Sequence, residues 1–569
     1  MMNASRFLGF CKVFAAVVFS LAIVGGVRNY SPIPYWDMWD GTLGFYMQVM
    51  DGNPASWWAQ HNEHRIVLAR ILFWIDYQLF GGRSIFLILM NYVFAGLSSW
   101  VFWRFLYLIY SRQVPKEDYR PMGFIVIAMM FFWSQNGNFS WGFQSQFFLA
   151  QLLPLSALLF LAMSQDDQSL KYHFTIACLL GALSAGSMAN GIVALPLMCV
   201  YSLIMRMGVQ RSLVLLVMSI AVNFAYLYDY HPPEIHGKVL GSILNSPVAT
   251  LEFFIIYLGN PFGFLGQSFS FHVGLVVLFF CLKVILREIA LGLKSPFRLA
   301  LIVFIIYLLA AALGTAGGRV NFGLEAARSS RYTTPTLMLM AALLILFQEK
   351  IRFPDVLKFR NVKRWAPIAV VGALMLVHQV GAVSSARQTN FPREVAALAL
   401  SLGIHDDEYI RNLYPNTHVP LRLASIAVER GYSVFGMAPF AHIKDRLGSA
   451  FNLEGSRRCI GNLDSIENIN SVDGFLRVRG WIYDPAVNSV PSFIEMTDGG
   501  GNVAGFAMTG EPRPDVTSAV SGKPKNAGFT GYVVVGVAGS IITIAAQDSS
   551  CILSAHMPAL PNNSQTYHQ

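Results

Sequence analysis

Charge is scarce in this chain. Of its 569 residues only 13% are Asp, Glu, Lys or Arg, against 54% hydrophobic. Soluble domains carry about 25% charged residues, so a wholly soluble protein is excluded. A mean hydropathy of +0.48 points to a membrane-embedded body with something soluble attached. A nucleic-acid partner is excluded too. The net charge is +9, yet Lys and Arg fall in short clusters between apolar segments, as in cytoplasmic loops, and form no recurring basic face. Cysteine is also sparse, at six residues. Cys11, Cys178, Cys199 and Cys281 lie in apolar segments as inert core residues. Cys459 and Cys551 bracket the soluble C-terminal part and pair if that part faces an oxidising compartment.

Apolar segments are plentiful. The first, residues 7–27, is followed by no small-residue cleavage site and reads as an uncleaved span with a cytoplasmic N-terminus. Others cover 84–110, 122–133, 147–163, 174–187, 192–205, 213–228, 273–290, 299–313, 334–347 and 367–383, giving about eleven spans. Residues 250–264, interrupted by GNPFG, read as re-entrant or interfacial. RIVLARILFWIDYQLFGG is too short and too charged to cross, and reads as an interfacial amphipathic helix. Basic clusters recur at alternate loops, which puts the opening loop 28–83 and everything after Ser384 outside. In a bacterial cell this is a multi-pass inner-membrane protein with its C-terminal part in the periplasm.

Residues 385–454 show helical spacing. From 455 to 557 the pattern turns to short strands (FLRVRGWIYD, SFIEMTD, NVAGFAM, FTGYVVVG, SIITIAAQD, CILSAHM) separated by Gly, Pro, Asn and Asp, as in a β-sandwich. Residues 558–569 read as a disordered tail. The expected fold is therefore a polytopic α-helical membrane domain over 1–384, a periplasmic helical region and a C-terminal periplasmic β-sandwich domain.

Chemistry is expected first in the opening loop. YWDMWD sets Asp37 and Asp40 among aromatic rings at the membrane surface, where a carboxylate is costly unless it has a task. An acid there is suited to act as general base on an incoming hydroxyl. The cluster His61, Asn62, Glu63, His64 and Arg65 closes the loop. It holds metal-ligand types, but no further ligand accompanies them, so positioning of phosphate or sugar hydroxyls is the better reading and no metal cofactor is expected. In GGRVNFGLEAARSSRY, Arg319, Arg328 and Arg331, with Tyr332 beside them, lie on the face where arginines are disfavoured. Either they snorkel to lipid head groups, or they grip a phosphate carried on a membrane lipid. Asn136, Asn138, Gln144, Gln146 and Asn190 are open between lining a sugar pocket and capping turns.

The order of these features resembles the GT-C membrane glycosyltransferases, a class that includes lipid A aminoarabinose transferases and protein O-mannosyltransferases. A first span, an outer loop with an early Asp, "DGNPASWW", a helix ending in LFGG and further spans carry the resemblance over roughly residues 1–385. It implies Asp37, with Asp40 as competitor, as catalytic base. It also implies a polyprenyl-phosphate-linked sugar as donor, with Arg328 and Arg331 on its phosphate. One departure is that the loop opens Asp-Met-Trp-Asp, where the lipid A and mannosyl enzymes usually show Asp-Glu, so donor sugar and acceptor do not carry over. The acceptor would be O-antigen, another envelope glycan or a surface protein such as a pilin. Two rival readings are a flippase of lipid-linked sugar and a non-catalytic partner in envelope-glycan assembly. The first expects ionisable residues in mid-span, of which there are few.

Overall fold

In the computed structural model of the chain, the described residues are 4–166, 171–232, 239–347, 372–384, 387–469, 474–522 and 524–557. They form two compact units. The first is Met1–Tyr30, Asp51–Trp74 and Ser84–Ser384; the second is Ser31–Met50, Ile75–Arg83 and Ser385–Gln569.

The first unit is a body of apolar helices. Seven are long and apolar enough to cross a membrane: Ser5–Arg28, Ile85–Tyr110, Gly142–Gln165, Val209–Leu227, Gln267–Ala290, Pro296–Phe322 and Ser330–Phe347. An eighth arises if Val239–Asn245 and Pro247–Leu258, bent by 114°, count as one broken span. Pro247 opens the second half of that bend, where its missing N–H costs nothing. The expected eleven is not reached among the described residues. Residues 122–133 fall in the helix Lys116–Met130, which begins with three charged residues and is too short. Residues 174–187 and 192–205 form helices of only 14 and 11 residues, Lys171–Ser184 and Ala194–Ile204. The segment 367–383 begins outside the described residues.

Packing inside this unit is close. A Cβ on Gly259 would collide with the Ser270 carbonyl, and one on Gly274 with the Ile255 carbonyl, so these glycines let Pro247–Leu258 and Gln267–Ala290 meet backbone to backbone. Polar side chains fasten the helices. Gln379 is buried; its Nε2 donates to the Val18 carbonyl at 3.0 Å and its Oε1 accepts from the Trp133 N–H at 2.8 Å. Arg298 and Glu288 form a buried ion pair at 2.5 Å, and the same guanidinium donates to the Tyr110 hydroxyl and the Leu346 carbonyl.

The second unit joins two pieces of the opening loop to the C-terminal part, so the loop 28–83 is divided between the units. Aromatic packing holds those pieces. Trp39, fully buried, lies 6.2 Å from the Phe435 ring. Tyr46 stacks on Tyr77 at 4.6 Å and meets Tyr432 edge-on. The Ser433 hydroxyl donates to the Gly82 carbonyl.

The C-terminal strands form one sheet, which corrects the expected two-sheet sandwich. The eight strands are β1 Arg457–Arg458, β2 Ile460–Asn468, β3 Phe475–Tyr483, β4 Phe493–Thr497, β5 Val503–Glu511, β6 Gly528–Val534, β7 Ile541–Ala546 and β8 Cys551–His556, in the order β1-β8-β7-β4-β5-β6-β3-β2. Only Cys459 separates β1 from β2, so one stretch of chain edges both ends of the sheet and curls it toward a barrel. Such closure leaves no second sheet to pack. The helix Arg387–Leu402 packs against β5 and β6, which explains why these two strands are buried almost without alternation. A disulfide joins Cys459 to Cys551. The tail 558–569 lies outside the described residues.

A charged knot ties the helical segment to β3. Arg477, 7% exposed, reaches both Asp406 oxygens at 3.0 and 2.9 Å, and also Glu467 and Glu408; the Tyr532 hydroxyl donates to Asp406 at 2.8 Å. Burial alone would raise the Glu467 carboxyl, but the Arg477 and Arg479 guanidiniums outweigh it and hold Glu467 below the usual carboxylate range. A depressed carboxyl contributes stability that is present above its unfolded pKa, about 4.3, and is lost as pH falls through the folded value. The thermal midpoint of this unit should therefore drop below about pH 4. Arg477→Met should flatten that drop, and an unchanged acid slope in the variant would count against the knot.

Candidate functional site

In the first unit the HNEHR stretch is a tight turn, not a helix. His61 and His64 exchange backbone hydrogen bonds at 2.8 and 2.9 Å, with Asn62 at φ +49°. A helix would have set both imidazoles on one face; the turn sends them to different partners. The His61 ring lies against Phe143, whereas His64 Nδ1 accepts from the Ala189 N–H at 3.2 Å. That bond fixes the tautomer, so Nε2 carries the proton and faces Glu63 at 3.4 Å. Glu63 in turn pairs with Arg319 at 2.5 Å. Among the described residues no three His, Cys, Asp or Glu side chains gather as metal ligands.

Arg65 departs from its expected role. It is 4% exposed, and its donors go to the carbonyls of Trp58 (2.7 Å), Tyr226 (2.9 Å), Tyr228 (2.7 Å) and Asp229 (3.3 Å). A guanidinium occupied in this way pins two chain segments together and has little left for a phosphate.

The arginine loop is a succession of 3₁₀ turns, Val320–Phe322, Leu324–Arg328 and Ser330–Tyr332, and asparagines hold it in place. Asn260 Nδ2 donates to the Ala327 and Ser329 carbonyls at 2.8 and 2.9 Å, and its Oδ1 accepts from Thr333. Asn138, fully buried, donates to the Arg331 carbonyl at 3.2 Å and the Thr334 hydroxyl at 2.7 Å. Asn138 is therefore a fastener of this loop. Asn136 is exposed and accepts from the Gly137 N–H, as a turn residue does. Gln144 is buried, 1% exposed, and its Oε1 has no hydrogen-bond partner among the described residues.

The three arginines differ. Arg319 is committed to Glu63. Arg328 reaches the Gly263 carbonyl through Nε at 3.2 Å and the exposed Glu325 through Nη1 at 2.6 Å. Arg331 is half-buried over the Tyr332 ring at 5.3 Å. Its Nε is buried without a partner, and among the described residues its guanidinium makes neither an ion pair nor a hydrogen bond.

Asp37 and Asp40 belong to the second unit. Two uncommon backbone features flank Asp37. Trp36, just before it, has φ +49°, a left-handed conformation rare for an aromatic residue. The π-helix Trp39–Gly44 begins two residues after it, and π-turns recur at functional sites. The turn is fixed: the Trp36 N–H donates to the Leu413 carbonyl at 2.8 Å, the Gly41 N–H to the Asp37 carbonyl at 2.8 Å, and the Thr42 hydroxyl to the Met38 carbonyl at 2.7 Å. Asp37 is half-buried and Asp40 exposed. Burial, then the charge of Asp40 and that of Asp37, pushes the Tyr414 phenol up to about 12. Tyr414 was not legible as a neighbour, because nothing in an isolated tyrosine signals a distant carboxylate pair. Asn260 was, in hindsight, marked by the break in its apolar run.

No protein family and no curated protein matches the chain. Solved structures do. Two of them are of an archaeal oligosaccharyltransferase. The Archaeoglobus fulgidus enzyme crystallised with zinc and sulfate is 14% identical at a TM-score of 0.40, the match covering 71% of this chain and 57% of that one. Its apo form is 12% identical at 0.38, covering 71% and 60%. This chain thus matches less than two thirds of the length of that protein, and a likeness so partial transfers no chemistry.

Proposed function

We propose that the protein is a GT-C-type glycosyltransferase of the bacterial inner membrane. It moves a sugar from a polyprenyl-phosphate donor to a hydroxyl of a periplasmic glycan or protein. The observation that carries the reading is Arg331, a half-buried guanidinium over the Tyr332 ring and without a counter-charge among the described residues. A buried charge is costly unless paired, so a ligand anion is the natural partner. Arg matches a phosphate in geometry and charge. Arg328, whose Nη2 is uncommitted among the described residues, is the second candidate for that phosphate.

In the reaction, the acceptor hydroxyl loses its proton to Asp37 and its oxygen bonds to the anomeric carbon. The bond from that carbon to the phosphate oxygen breaks, and the electron pair leaves on the polyprenyl phosphate. The arginines stabilise the charge that develops there. Strain and a π-turn around Asp37 support its role, since costly backbone persists where it serves a site. Arg331→Gln is expected to raise KM for the lipid-linked donor about 10- to 100-fold, the worth of a charged hydrogen bond. An unchanged donor KM would remove Arg331 from the site. A chelator arm in the same assay tests whether any metal takes part.

A further inference from the structure

We infer that the first unit binds a neutral pyranose ring in a cleft built on Trp58. The cleft, of about 540 Å³, is lined by Trp58, Gln60, Asn62, Arg65, Asp229 and His231, with Ala55 and Ala59. Trp58 is 42% exposed, so much of its indole is open to a ligand. It is also rigidly backed. The Arg65 guanidinium lies over its ring at 5.3 Å, and that guanidinium is itself immobilised by carbonyls. The indole is therefore a fixed platform whose remaining surface opens on the cleft.

The rim is equally built. Gln60 bridges both sides, donating to the Asn62 carbonyl at 2.7 Å and the His231 carbonyl at 2.5 Å and accepting from the His231 N–H at 3.1 Å. Asp229, held at φ +54°, presents a carboxylate that is 77% exposed, with the equally open His231 imidazole 3.8 Å away.

A flat apolar face beside acceptors for hydroxyl groups suits a sugar ring, which has an apolar C–H face and a rim of hydroxyls. Asp229 disfavours an acidic sugar, and Arg65, with four of its five N–H donors taken by carbonyls, offers it little direct contact. The inference deepens the transferase reading, on which the choice of a sugar over other flat ligands rests.

The test is saturation-transfer NMR on the full chain in nanodiscs. The probes are the methyl glycosides of glucose, galactose, mannose and N-acetylglucosamine, with methyl glucuronoside as the acidic control. At least one neutral glycoside should bind, and the glucuronoside more weakly. Trp58→Ala should weaken binding about tenfold or more, and Trp58→Phe less. Asp229→Asn, a change at an exposed residue that leaves the platform intact, should weaken it several-fold, which keeps the test decisive if Trp58→Ala does not fold. Binding of no neutral glycoside, or equal binding by wild type and by both Trp58→Ala and Asp229→Asn, overturns the inference. Sugar transfer measured on the same samples separates the two readings: transfer without glycoside binding overturns the cleft alone, and glycoside binding without transfer overturns the transferase.

Discussion

Asp37→Asn should lower kcat for sugar transfer about 10²- to 10⁴-fold, the usual contribution of a positioned general base. The amide keeps the shape of the carboxylate and cannot take a proton. Because the turn around Asp37 is held by backbone bonds and by the Thr42 hydroxyl, the substitution should leave the fold and the donor KM unchanged. Asp40→Asn should cost much less, since Asp40 is exposed and Asp37 half-buried. The pair of variants measured side by side assigns the base. If Asp40→Asn is the inactive one, the roles are reversed. If both retain full activity, neither carboxylate is the base.

The second large effect concerns the helical body. Removing one partner of the Arg298–Glu288 pair should destabilise the first unit by about 3–5 kcal/mol, because the remaining charge stays buried and unpaired. Both side chains are under 10% exposed, at 9% and 6%. The guanidinium also serves Tyr110 and Leu346, so it links residues of four helices. The double replacement Arg298→Met with Glu288→Leu should recover most of the loss, since an apolar pair leaves no stranded charge. Thermal unfolding of the three variants in nanodiscs reads this directly. Equal midpoints for either single variant and wild type would show that the pair carries little.

Much of this architecture was legible because a single physical signal dominated locally. Long apolar runs such as Ile85–Tyr110 and Pro296–Phe322 announce themselves by length. The six strands read from the C-terminal pattern all form, since alternating β-branched and aromatic residues between Gly and Asn turns leave few alternatives. β1 and β2 were missed: Arg457–Arg458 is only two residues long, and the polar IGNLDSIEN stays partly exposed along much of its length. The single sheet was not legible either, because register and closure depend on which strands meet, not on what each contains.

The site divides the same way. The oddness of three arginines in one apolar-flanked loop was readable, but not that Arg319 is spent on Glu63 whereas Arg331 has no counter-charge among the described residues. Arg65 looked like a ligand-binding residue by type and is a pin by geometry. The left-handed Asn62 between His61 and His64 makes a tight turn, which their spacing alone does not show. Pairing is decided by segments far apart in the chain, which local spacing does not encode.

On the proposed reading, this chain breaks the bond between a sugar and a polyprenyl phosphate. The direct measurement is release of a labelled sugar from synthetic polyprenyl-phosphate donors by the purified full chain, with a panel of donor sugars and an envelope-glycan extract as acceptor. Wild type should transfer label from at least one donor, and Asp37→Asn should not. Transfer at the wild-type rate by Asp37→Asn would remove that residue as the base, and no transfer from any donor by wild type would rule out the transferase.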